Sequence, residues 1–557
     1  MRRALATALT LGLLSGFVFA VVLGLLVAFG ALDLTIAVAL VVLFNAVMLL
    51  VGPTLNDLLY RYLYDMDWVS FEEFRERSAA SAAVAEDVTT EFDYSKPKLG
   101  IIPDSNPTAF TYGSGRFNVR VVVTEGCFEY LDDDELASVV AHELGHVTSR
   151  DFIVMTLANT LVEILYLVAV HGWRIAAATS AGSGSGAGSG GGGKRADPTV
   201  VLYGVAVVAY VMWFFGEYIV LYLSRVREYA ADRFAADRAH PDLLSSSLVK
   251  IAYGIVTSED SPELAKATRN IGFMNVADST DEGLIYASVR DEPDDEELLL
   301  RSFLFDLKNP WARLLELNST HPLTGKRVRE LSTRPGATRF DFDAVVREFP
   351  VDARRMYREF ARDLAVSALP LAGLLGFPLV AGGALVATDL AFSVFWFAGG
   401  WLAAFGLALL ALAYYEYPRG DAELTTVVSV LADPYASPVC GRRVEFDGEL
   451  VGRGVAGYAF SEDMLFQDRT GLMLLEYESW LTWLGNFLFS IRRVPELVGQ
   501  RATVDCWYFR GVSTWTGLRR LQTGDDEVTG FVHLGGVIGG GILVALGVLV
   551  ALAGAVV

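Results

Sequence analysis

Two histidines and a glutamate, His142, Glu143 and His146, stand at a spacing that could hold and use a metal ion. Residues 134–147 are predicted to form a helix, because an acidic start is followed by apolar residues at helical spacing. This helix is expected to run on through residues 149–151 into the apolar run that follows. At 3.6 residues per turn, His142 and His146 share one face, so both imidazoles can reach one ion, usually zinc. Glu143 would lie beside the open coordination position and could take a proton from a water whose pKa the metal lowers. The spacing predicts metal-assisted hydrolysis; the alternative is a helix whose histidines pack in a core.

A second predicted helix, over residues 224–236, could complete this site. Glu228 and Asp232 are four residues apart and therefore share a face. Glu228 could serve as the third ligand, which leaves the fourth position for water. Asp232 could accept a hydrogen bond from a ligand histidine and fix its tautomer. Taken alone, this charged stretch is more typical of a solvated helix face; the His-Glu-x-x-His motif before it favours the ligand interpretation.

The composition indicates that much of the chain lies in a membrane. Hydrophobic residues make up 53% of the sequence, and the mean hydropathy is +0.38. Seven runs with few or no charges are each long enough to cross a hydrocarbon core, which takes about 20 residues: 4–32, 34–55, 152–173, 199–223, 364–387, 390–413 and 531–557. Glu163 and Glu217 interrupt two of them, which makes those two the weakest candidates. The first run is too long for a signal peptide and is predicted to be a retained transmembrane helix.

Charge indicates the orientation and excludes one class of partner. Arginines flank the first pair of runs, and none lies in the loop between them: Arg2, Arg3, Arg61, Arg75 and Arg77. The positive-inside rule therefore predicts a plasma-membrane protein with a cytoplasmic amino terminus, a cytoplasmic site and an outward-facing carboxyl terminus. The net charge of -21 argues against nucleic acid as a partner. Three widely spaced cysteines match no metal or disulfide pattern and suggest a reducing compartment.

The predicted organisation is mainly α-helical, with an additional small β-rich domain. The boundaries are a transmembrane hairpin at 1–56, a catalytic domain at 57–362, a second hairpin at 363–416, a β-rich cytoplasmic domain at 417–529 and a final helix at 530–557. The catalytic domain contains its own transmembrane hairpin, 152–223, with a flexible Gly/Ser linker at 177–193. Alternating segments in 417–529 predict a small β-barrel or sandwich, with an OB-like topology as one option. Within it, the aromatic stretch from Trp480 to Phe489 suits either a membrane-surface segment or a buried hairpin.

Four segments together resemble the HtpX-like integral-membrane zinc metalloproteases, gluzincins related to the CAAX prenyl endopeptidases. The segments are His142-Glu-Leu-Gly-His146, Ser224-Arg-Val-Arg-Glu-Tyr-Ala-Ala-Asp232, Thr108-Ala-Phe-Thr-Tyr-Gly113 and Thr320-His-Pro-Leu-Thr-Gly-Lys-Arg327. The resemblance covers roughly residues 1–335 and implies a zincin-type catalytic domain.

The resemblance also implies roles for individual residues. Glu228 would be the third ligand of one zinc ion per chain, and Glu143 would be the general base. His321 and Arg327 would lie near the substrate and stabilise the oxyanion, although a histidine before proline is equally typical of an ordinary loop. Thr108, Ala109 and Phe110 would form the strand along which a peptide lies, although the strands before the site helix are equally typical of an ordinary hairpin. Thr108 stands where the family has asparagine, so a side-chain amide contact is not expected there.

The sequence therefore predicts a membrane-embedded zinc endopeptidase that hydrolyses peptide bonds of membrane or misfolded proteins, in quality control. A CAAX-type processing protease with a defined substrate is the alternative within the same class. A non-catalytic membrane scaffold or a transporter is the alternative from another class, although few ionisable residues interrupt the apolar runs. The expected partners are a peptide or membrane-protein substrate and the lipid bilayer, and the oligomeric state is left open.

Overall fold

The computed structural model describes residues 34–182, 198–257, 296–388, 394–454, 460–511, 514–524 and 526–556. The predicted run at 4–32 and most of the Gly/Ser linker lie outside these ranges. Six helices in the described part are long and apolar enough to cross a membrane: Ile36–Leu63, Asp151–Ser180, Thr199–Arg238, Ala353–Gly383, Val394–Glu416 and Leu534–Gly554. They correspond to the other six predicted runs, which confirms the prediction of a mainly helical, polytopic membrane protein.

The helices of the first two thirds of the chain surround the candidate site. In chain order they are α1 (Leu34–Leu63), α2 (Phe71–Arg77), α3 (Ala79–Glu91), α4 (Glu125–Tyr130), α5 (Asp133–Thr148), α6 (Asp151–Gly182), α7 (Pro198–Arg238), α8 (Pro241–Thr257), α9 (Glu296–Lys308), α10 (Pro310–Glu316), α11 (Thr324–Ser332) and α12 (Phe342–Glu348). Helix α5 is almost entirely buried and packs against α3, α7 and α8. It is therefore the core helix of this part.

A four-stranded sheet lies beside α5. Its strands are β1 (Asp67–Val69), β2 (Lys98–Ile102), β3 (Ala109–Gly113) and β4 (Val119–Thr124), in the spatial order β1-β2-β4-β3. Strands β2 and β4 are parallel, whereas β3 runs antiparallel to β4 and forms one edge. All residues of β3 and β4 are buried, as expected for Val- and aromatic-rich segments covered on both faces. Since β3 contacts α5, the edge of the sheet lies next to the candidate site.

Helix α5 does not continue into the membrane, and the prediction of one continuous helix past His146 is wrong. The helix begins at a capping box in which the side chain of Glu135 accepts a hydrogen bond from the backbone N–H of Asp132, at 2.9 Å. It ends at Thr148, and Arg150 takes a left-handed conformation with φ 56°. A new helix, α6, starts at Asp151. The chain therefore changes direction between the buried site helix and the membrane helix.

Polar groups inside the membrane helices have partners on neighbouring turns or helices. The side-chain amide of Asn45 on α1 donates a hydrogen bond to Glu163 on α6, at 2.8 Å. The indole N–H of Trp213 donates to Glu217 one turn away, at 3.0 Å. Because an unpaired polar group in hydrocarbon is costly, these contacts explain how both glutamates fit into otherwise apolar helices.

The last third begins with a membrane hairpin and continues into a barrel. Its helices and strands are, in chain order, α13 (Ala353–Ser367), α14 (Leu369–Leu371), a π-helical turn (Ala372–Gly376), α15 (Phe377–Thr388), α16 (Val394–Glu416), β5 (Glu423–Leu424), α17 (Val427–Leu431), β6 (Arg442–Arg453), β7 (Met464–Asp468), β8 (Gly471–Glu476), α18 (Thr482–Arg492), α19 (Val494–Leu497), β9 (Arg501–Arg510), β10 (Thr514–Thr523), β11 (Asp526–Thr529) and α20 (Leu534–Val556). Membrane helices α16 and α20 pack tightly together. A Cβ atom on Gly399 would lie 2.5 Å from the backbone oxygen of Gly547, so this crossing requires glycine.

Five strands close into a barrel in the order β6-β7-β8-β10-β9 and back to β6. All neighbours are antiparallel except β8 and β10, which are parallel. Two helices, α18 and α19, connect the third strand to the fourth. This order and the helical insertion are those of an OB-type barrel, which confirms the predicted β-rich domain.

The barrel packs against α9 and α10. The buried guanidinium of Arg510 donates hydrogen bonds to the backbone oxygens of Ser302 and Leu431 and lies 4.3 Å from the ring centre of Phe305. The side-chain amide of Asn309 donates to the backbone oxygens of Pro434 and Ala436, at 2.9 and 3.1 Å. The predicted cytoplasmic domain is thus attached to the helices that precede His321.

Candidate metal centre

Three side chains from two helices converge on one point. The Nε2 atoms of His142 and His146, both on α5, lie 3.2 Å apart. Each lies 3.5 Å from a carboxylate oxygen of Glu228, which comes from α7. Ligands about 2.0–2.1 Å from a tetrahedral zinc ion stand about 3.3 Å from one another. The spacing of these three groups therefore fits a zinc ion at their centre.

The outer nitrogens of both histidines face carboxylates. Nδ1 of His142 lies 3.0 Å from Asp232, and Nδ1 of His146 lies 2.7 Å from Asp151. A carboxylate accepts hydrogen bonds, so each Nδ1 carries a proton and each Nε2 turns its lone pair to the centre. Two lone pairs and a carboxylate at this distance form a site suited to a cation. This is the donor set and the tautomer that zinc needs.

The pKa of His142 also indicates that the centre favours a positive charge. Burial lowers the pKa of His142, but hydrogen bonds to Asp232 and Glu228 raise it to about 9. Without a metal, a proton on the imidazole supplies the positive charge at neutral pH. A zinc ion would displace that proton, so metal binding at this centre is coupled to proton release.

The close crossing of α5 and α7 places Glu228 against the histidines. A Cβ atom on Gly145 would lie 3.1 Å from the Cα atom of Ala231, closer than ordinary van der Waals contact. Glycine at this position lets the two helices approach. Because Glu228 lies about one turn before Ala231, its carboxylate reaches the histidine pair.

Asp151 was not identified from the sequence, although it contacts a candidate ligand. It lies five residues after His146, beyond the break between α5 and α6, and its carboxylate is also 2.9 Å from Nε of Arg227. One feature of the sequence could have identified Asp151: it is an acidic residue directly before an apolar run, a position where the membrane does not favour a negative charge. The assumption of a continuous helix hid this signal, because Asp151 would then have pointed away from His146.

Glu143 lies in the same pocket with its carboxylate unsatisfied. Both of its oxygens are buried and have no hydrogen-bond partner among the residues that the structure describes. Burial raises the pKa of Glu143 to about 7, against the opposing effects of His146 and His142. A buried carboxylate of this kind, next to a metal ligand, is placed to accept a proton from water.

His321 and Arg327 both reach the site, from the segment before α11 and from α11 itself. Nε2 of His321 lies 3.7 Å from Glu228, while its Nδ1 is 3.0 Å from the hydroxyl of Thr320. Arg327 is fully buried and forms a bidentate ion pair with Asp232, at 2.9 and 2.6 Å; its nearest approach to Glu228 is 4.0 Å. Arg327 therefore faces the carboxylate that orients His142.

The residues expected to form the substrate strand lie at the start of β3. Ala109 and Phe110 are its first two residues, and Thr108 directly precedes it. Their side chains are buried. On one side, β3 is paired with β4, and the backbone oxygen of Thr108 accepts a hydrogen bond from the N–H of Thr124. The edge of β3 on the other side has no partner strand within the described residues.

The region that contains the candidate metal centre is similar in sequence to known peptidases. Residues 76–335 match the family model described as Peptidase family M48. This part of the chain is therefore similar to that family. The match includes all three candidate ligands and Glu143, His321 and Arg327, and it ends before the second membrane hairpin and the barrel.

Several curated relatives carry the description "Protease HtpX homolog". The chain is similar to those of Methanothermobacter thermautotrophicus (31% identity, 30% of this chain, 57% of the relative), Moorella thermoacetica (32% identity, 38% and 66%) and Pyrobaculum aerophilum (29% identity, 42% and 60%). The matched segments thus span about three fifths of the length of these relatives. Among solved structures, the crystal structure of S. mikatae Ste24p shares 15% identity over 58% of this chain and 65% of that chain, with a TM-score of 0.35. The sequence relatives confirm the resemblance to HtpX-like proteins.

Proposed function

We propose that this protein is a membrane-embedded zinc metalloendopeptidase with one zinc ion per chain. The observation that carries the proposal is the convergence of His142, His146 and Glu228, with the inner histidine nitrogens 3.2 Å apart and the outer ones oriented by carboxylates. A zinc ion held there would polarise the scissile carbonyl and make water acidic enough to be deprotonated near neutral pH. The M48 match over residues 76–335 supports the same conclusion.

The protein's own residues would move the proton and hold the charge. Glu143 accepts a proton from the attacking water and later returns it to the leaving amine. His321, with Nε2 directed into the site, donates to the oxyanion that develops on the substrate carbonyl. Arg327 acts one step further out: its ion pair with Asp232 keeps that carboxylate in place against His142.

A peptide would bind as an added strand along the outer edge of β3. Strand addition satisfies the backbone hydrogen bonds of an extended substrate and does not depend on its sequence. The contact between β3 and α5 would hold such a peptide over Glu143. Hydrogen bonding to the backbone of Thr108, Ala109 and Phe110 needs no asparagine side chain, so the threonine at 108 is compatible with this role.

We infer that the site faces the cytoplasm, close to the membrane surface. The positive-inside distribution of Arg61, Arg75 and Arg77 after α1 supports this orientation. A protease so placed could remove misfolded membrane proteins, which is the proposed role. Processing of one defined substrate, as in CAAX-type enzymes, is the second candidate.

Two variants test the proposed chemistry separately. Purified Glu143→Gln should retain about one zinc per chain but lose cleavage of an unfolded protein substrate by about two orders of magnitude or more, since the base is gone and the ligands remain. Glu228→Ala should lose both zinc and cleavage. Metal content is measured by mass spectrometry and cleavage by gel in detergent. Sustained cleavage by Glu143→Gln would refute the assigned base, and a wild-type chain without zinc would favour the scaffold alternative.

The substrate class needs a different comparison. Cell membranes that carry the wild-type chain are compared, by quantitative proteomics, with membranes that carry Glu143→Gln. Quality control predicts that many unrelated membrane proteins accumulate with the inactive variant under stress. One or a few accumulating precursors would instead indicate a processing protease.

A further inference from the structure

Helix α18 of the barrel exposes a continuous apolar surface. Trp483 is 76% exposed, and Trp480 and Leu481, which precede the helix, are 63% and 58% exposed. The residues of this aromatic face are Trp480, Leu481, Trp483, Leu484, Phe487, Leu488 and Ile491. From Trp483 onward they recur at helical spacing, so they form one side of α18 rather than scattered surface positions.

The opposite side of α18 is firmly packed on the barrel. Phe489 and Ser490 are buried, and the ring of Phe489 stacks on Tyr477 with the ring centres 3.7 Å apart. The helix is thus held in one rotation about its axis, and the aromatic face points outward in a defined direction. Seven exposed apolar side chains along one side of the helix and just before it indicate an interaction site.

The position of the face relative to α20 identifies what covers it. The backbone N–H of Phe531 donates a hydrogen bond to the oxygen of Glu478, at 2.8 Å, and the ring of Phe531 lies 6.3 Å from that of Trp480. Three residues later, at Leu534, the membrane helix α20 begins. The start of the aromatic face therefore lies at the level where the chain enters the bilayer.

The carboxyl end of the helix is basic. Arg493 forms ion pairs with Glu496 and with Asp526, the first residue of β11. The adjacent Arg492 is exposed. Tryptophan at the start and arginine at the end match the layering of a membrane interface, where indole rings lie among the headgroups and arginine reaches phosphate.

We propose that the aromatic face is a membrane-surface anchor that inserts into the phospholipid bilayer beside α20, deepest at Trp480 and Trp483. Arg492 contacts lipid phosphate. Helices α16 and α20 cross the membrane as one packed pair and could act as a pivot for the barrel. The aromatic face adds a contact outside that pair, which prevents the barrel from tilting and fixes its height above the membrane.

Fluorescent labels at single cysteines test the anchor in the full-length chain. Cys127 and Cys506 are buried, so Cys440→Ser gives a background suited to surface labelling. The label NBD is attached to Trp483→Cys, Leu484→Cys or Ile491→Cys in nanodiscs of phosphatidylcholine and phosphatidylglycerol. Leu424→Cys is the matched control: it is an exposed leucine of the same barrel, on the short strand β5, beside the β7–β8 turn and away from the Glu476 end of β8. Zinc content and melting temperature verify that each variant is folded.

The proposal expects labels at 483 and 484 to emit at shorter wavelength and to be quenched by nitroxide lipids but not by aqueous iodide. The insertion depth expected of such a helix is about 5–10 Å. The label at 491 should be quenched less by the lipids, and the label at 424 should be quenched by iodide alone. Iodide quenching at 483 and 484 equal to that at 424 would place the face in water and refute the anchor. Protection from both quenchers would mean that protein covers the face, and this result would also refute the anchor. The Leu484→Cys label gives a second result if loss of Trp483 disturbs the helix.

Discussion

Each candidate ligand histidine has its own orienting carboxylate, and each carboxylate has its own arginine. His142 faces Asp232, which is paired with Arg327; His146 faces Asp151, which is 2.9 Å from Arg227. The carboxylate fixes the tautomer, and the arginine compensates a charge that would otherwise be buried alone. The centre therefore consists of two parallel chains of contacts, which meet at the histidine pair.

Replacement of Asp151 should weaken metal binding without touching a ligand. In Asp151→Asn the amide carries no charge and can donate to Nδ1 of His146, which favours the tautomer that turns an N–H toward the metal. We expect zinc affinity to fall about 10–100-fold, as measured by competition with a chelator. Asp134→Asn removes an equivalent carboxylate from the exposed first turn of α5 and should leave the affinity unchanged. Equal affinities in the two variants would show that His146 is oriented without Asp151.

Arg327 distinguishes a positioning role from contact with the substrate. Lysine cannot reproduce the two parallel hydrogen bonds to Asp232, so Arg327→Lys should lower zinc affinity together with the melting temperature. Loss of one partner of a buried ion pair costs about 3–5 kcal/mol, and lysine should cause part of that loss. Arg329→Lys, at an exposed position of the same helix, is the control. A decrease in kcat with unchanged zinc affinity would instead support the oxyanion role expected from the family resemblance.

Among the site residues, the sequence predicts relative positions best where they follow from spacing along one helix. His142, Glu143 and His146 lie on one helix, so their relative positions follow from 3.6 residues per turn. Their approach to Glu228 depends on how two distant helices cross, which no local pattern determines. Asp151 depends on a chain reversal at Arg150, a residue type that rarely adopts positive φ and therefore gives no warning.

At the scale of helices, the centre depends on the contact between α5 and α7. The two histidines and Glu228 come from different helices, so the distance between the helices sets the distance between the ligands. Gly145 and Ala231 occupy the point of closest approach. Small residues there allow backbone contact, and the side chains one turn away can then meet.

A larger residue at Gly145 should separate the ligands. In Gly145→Val the added atoms would collide with the Cα and Cβ atoms of Ala231, at 3.1 and 3.3 Å from the new Cβ. We expect about 1–3 kcal/mol of destabilisation from overpacking and a clear loss of bound zinc. Melting temperature and zinc content are measured together. Gly204→Val introduces the same residue into α7 where no atom lies within 4 Å of the new Cβ, and it should retain its zinc; a similar loss in both variants would contradict the crossing argument.

The membrane helices and the barrel were accessible to sequence reasoning because their patterns are long. Apolar runs of twenty or more residues predict spanning helices, and strand-length alternation predicts a barrel. The same patterns say nothing about which helix face meets which strand. The docking of the barrel onto α9 and α10 relies on single polar contacts, such as that of Asn309 with Pro434 and Ala436, and these have no periodic signal.

At the scale of the whole molecule, a cluster of hydrogen bonds around Asp363 adds to the contacts that join the barrel to the region of the candidate metal centre. Asp363 accepts hydrogen bonds from Trp311 on α10, from Ser437 before β6 and from Tyr415 at the end of α16. These three residues come from the catalytic region, the barrel and a membrane helix. The barrel is therefore connected by hydrogen bonds to α10, which is followed within a few residues by His321.

Arg510 provides the sharpest test of this connection. Arg510→Met keeps most of the side-chain volume but removes the donors to the backbone oxygens of Ser302 and Leu431, and each buried oxygen left unpaired costs about 1–3 kcal/mol. Because α9 then loses this polar contact with the barrel, hydrogen exchange measured by mass spectrometry should increase from α9 through residues 319–327. Cleavage should slow in parallel, since His321 is less well placed. Arg519→Met breaks a more exposed ion pair with Asp505 on the barrel and should change exchange locally. An increase in Arg510→Met confined to the barrel strands would show that the catalytic segment holds its position alone.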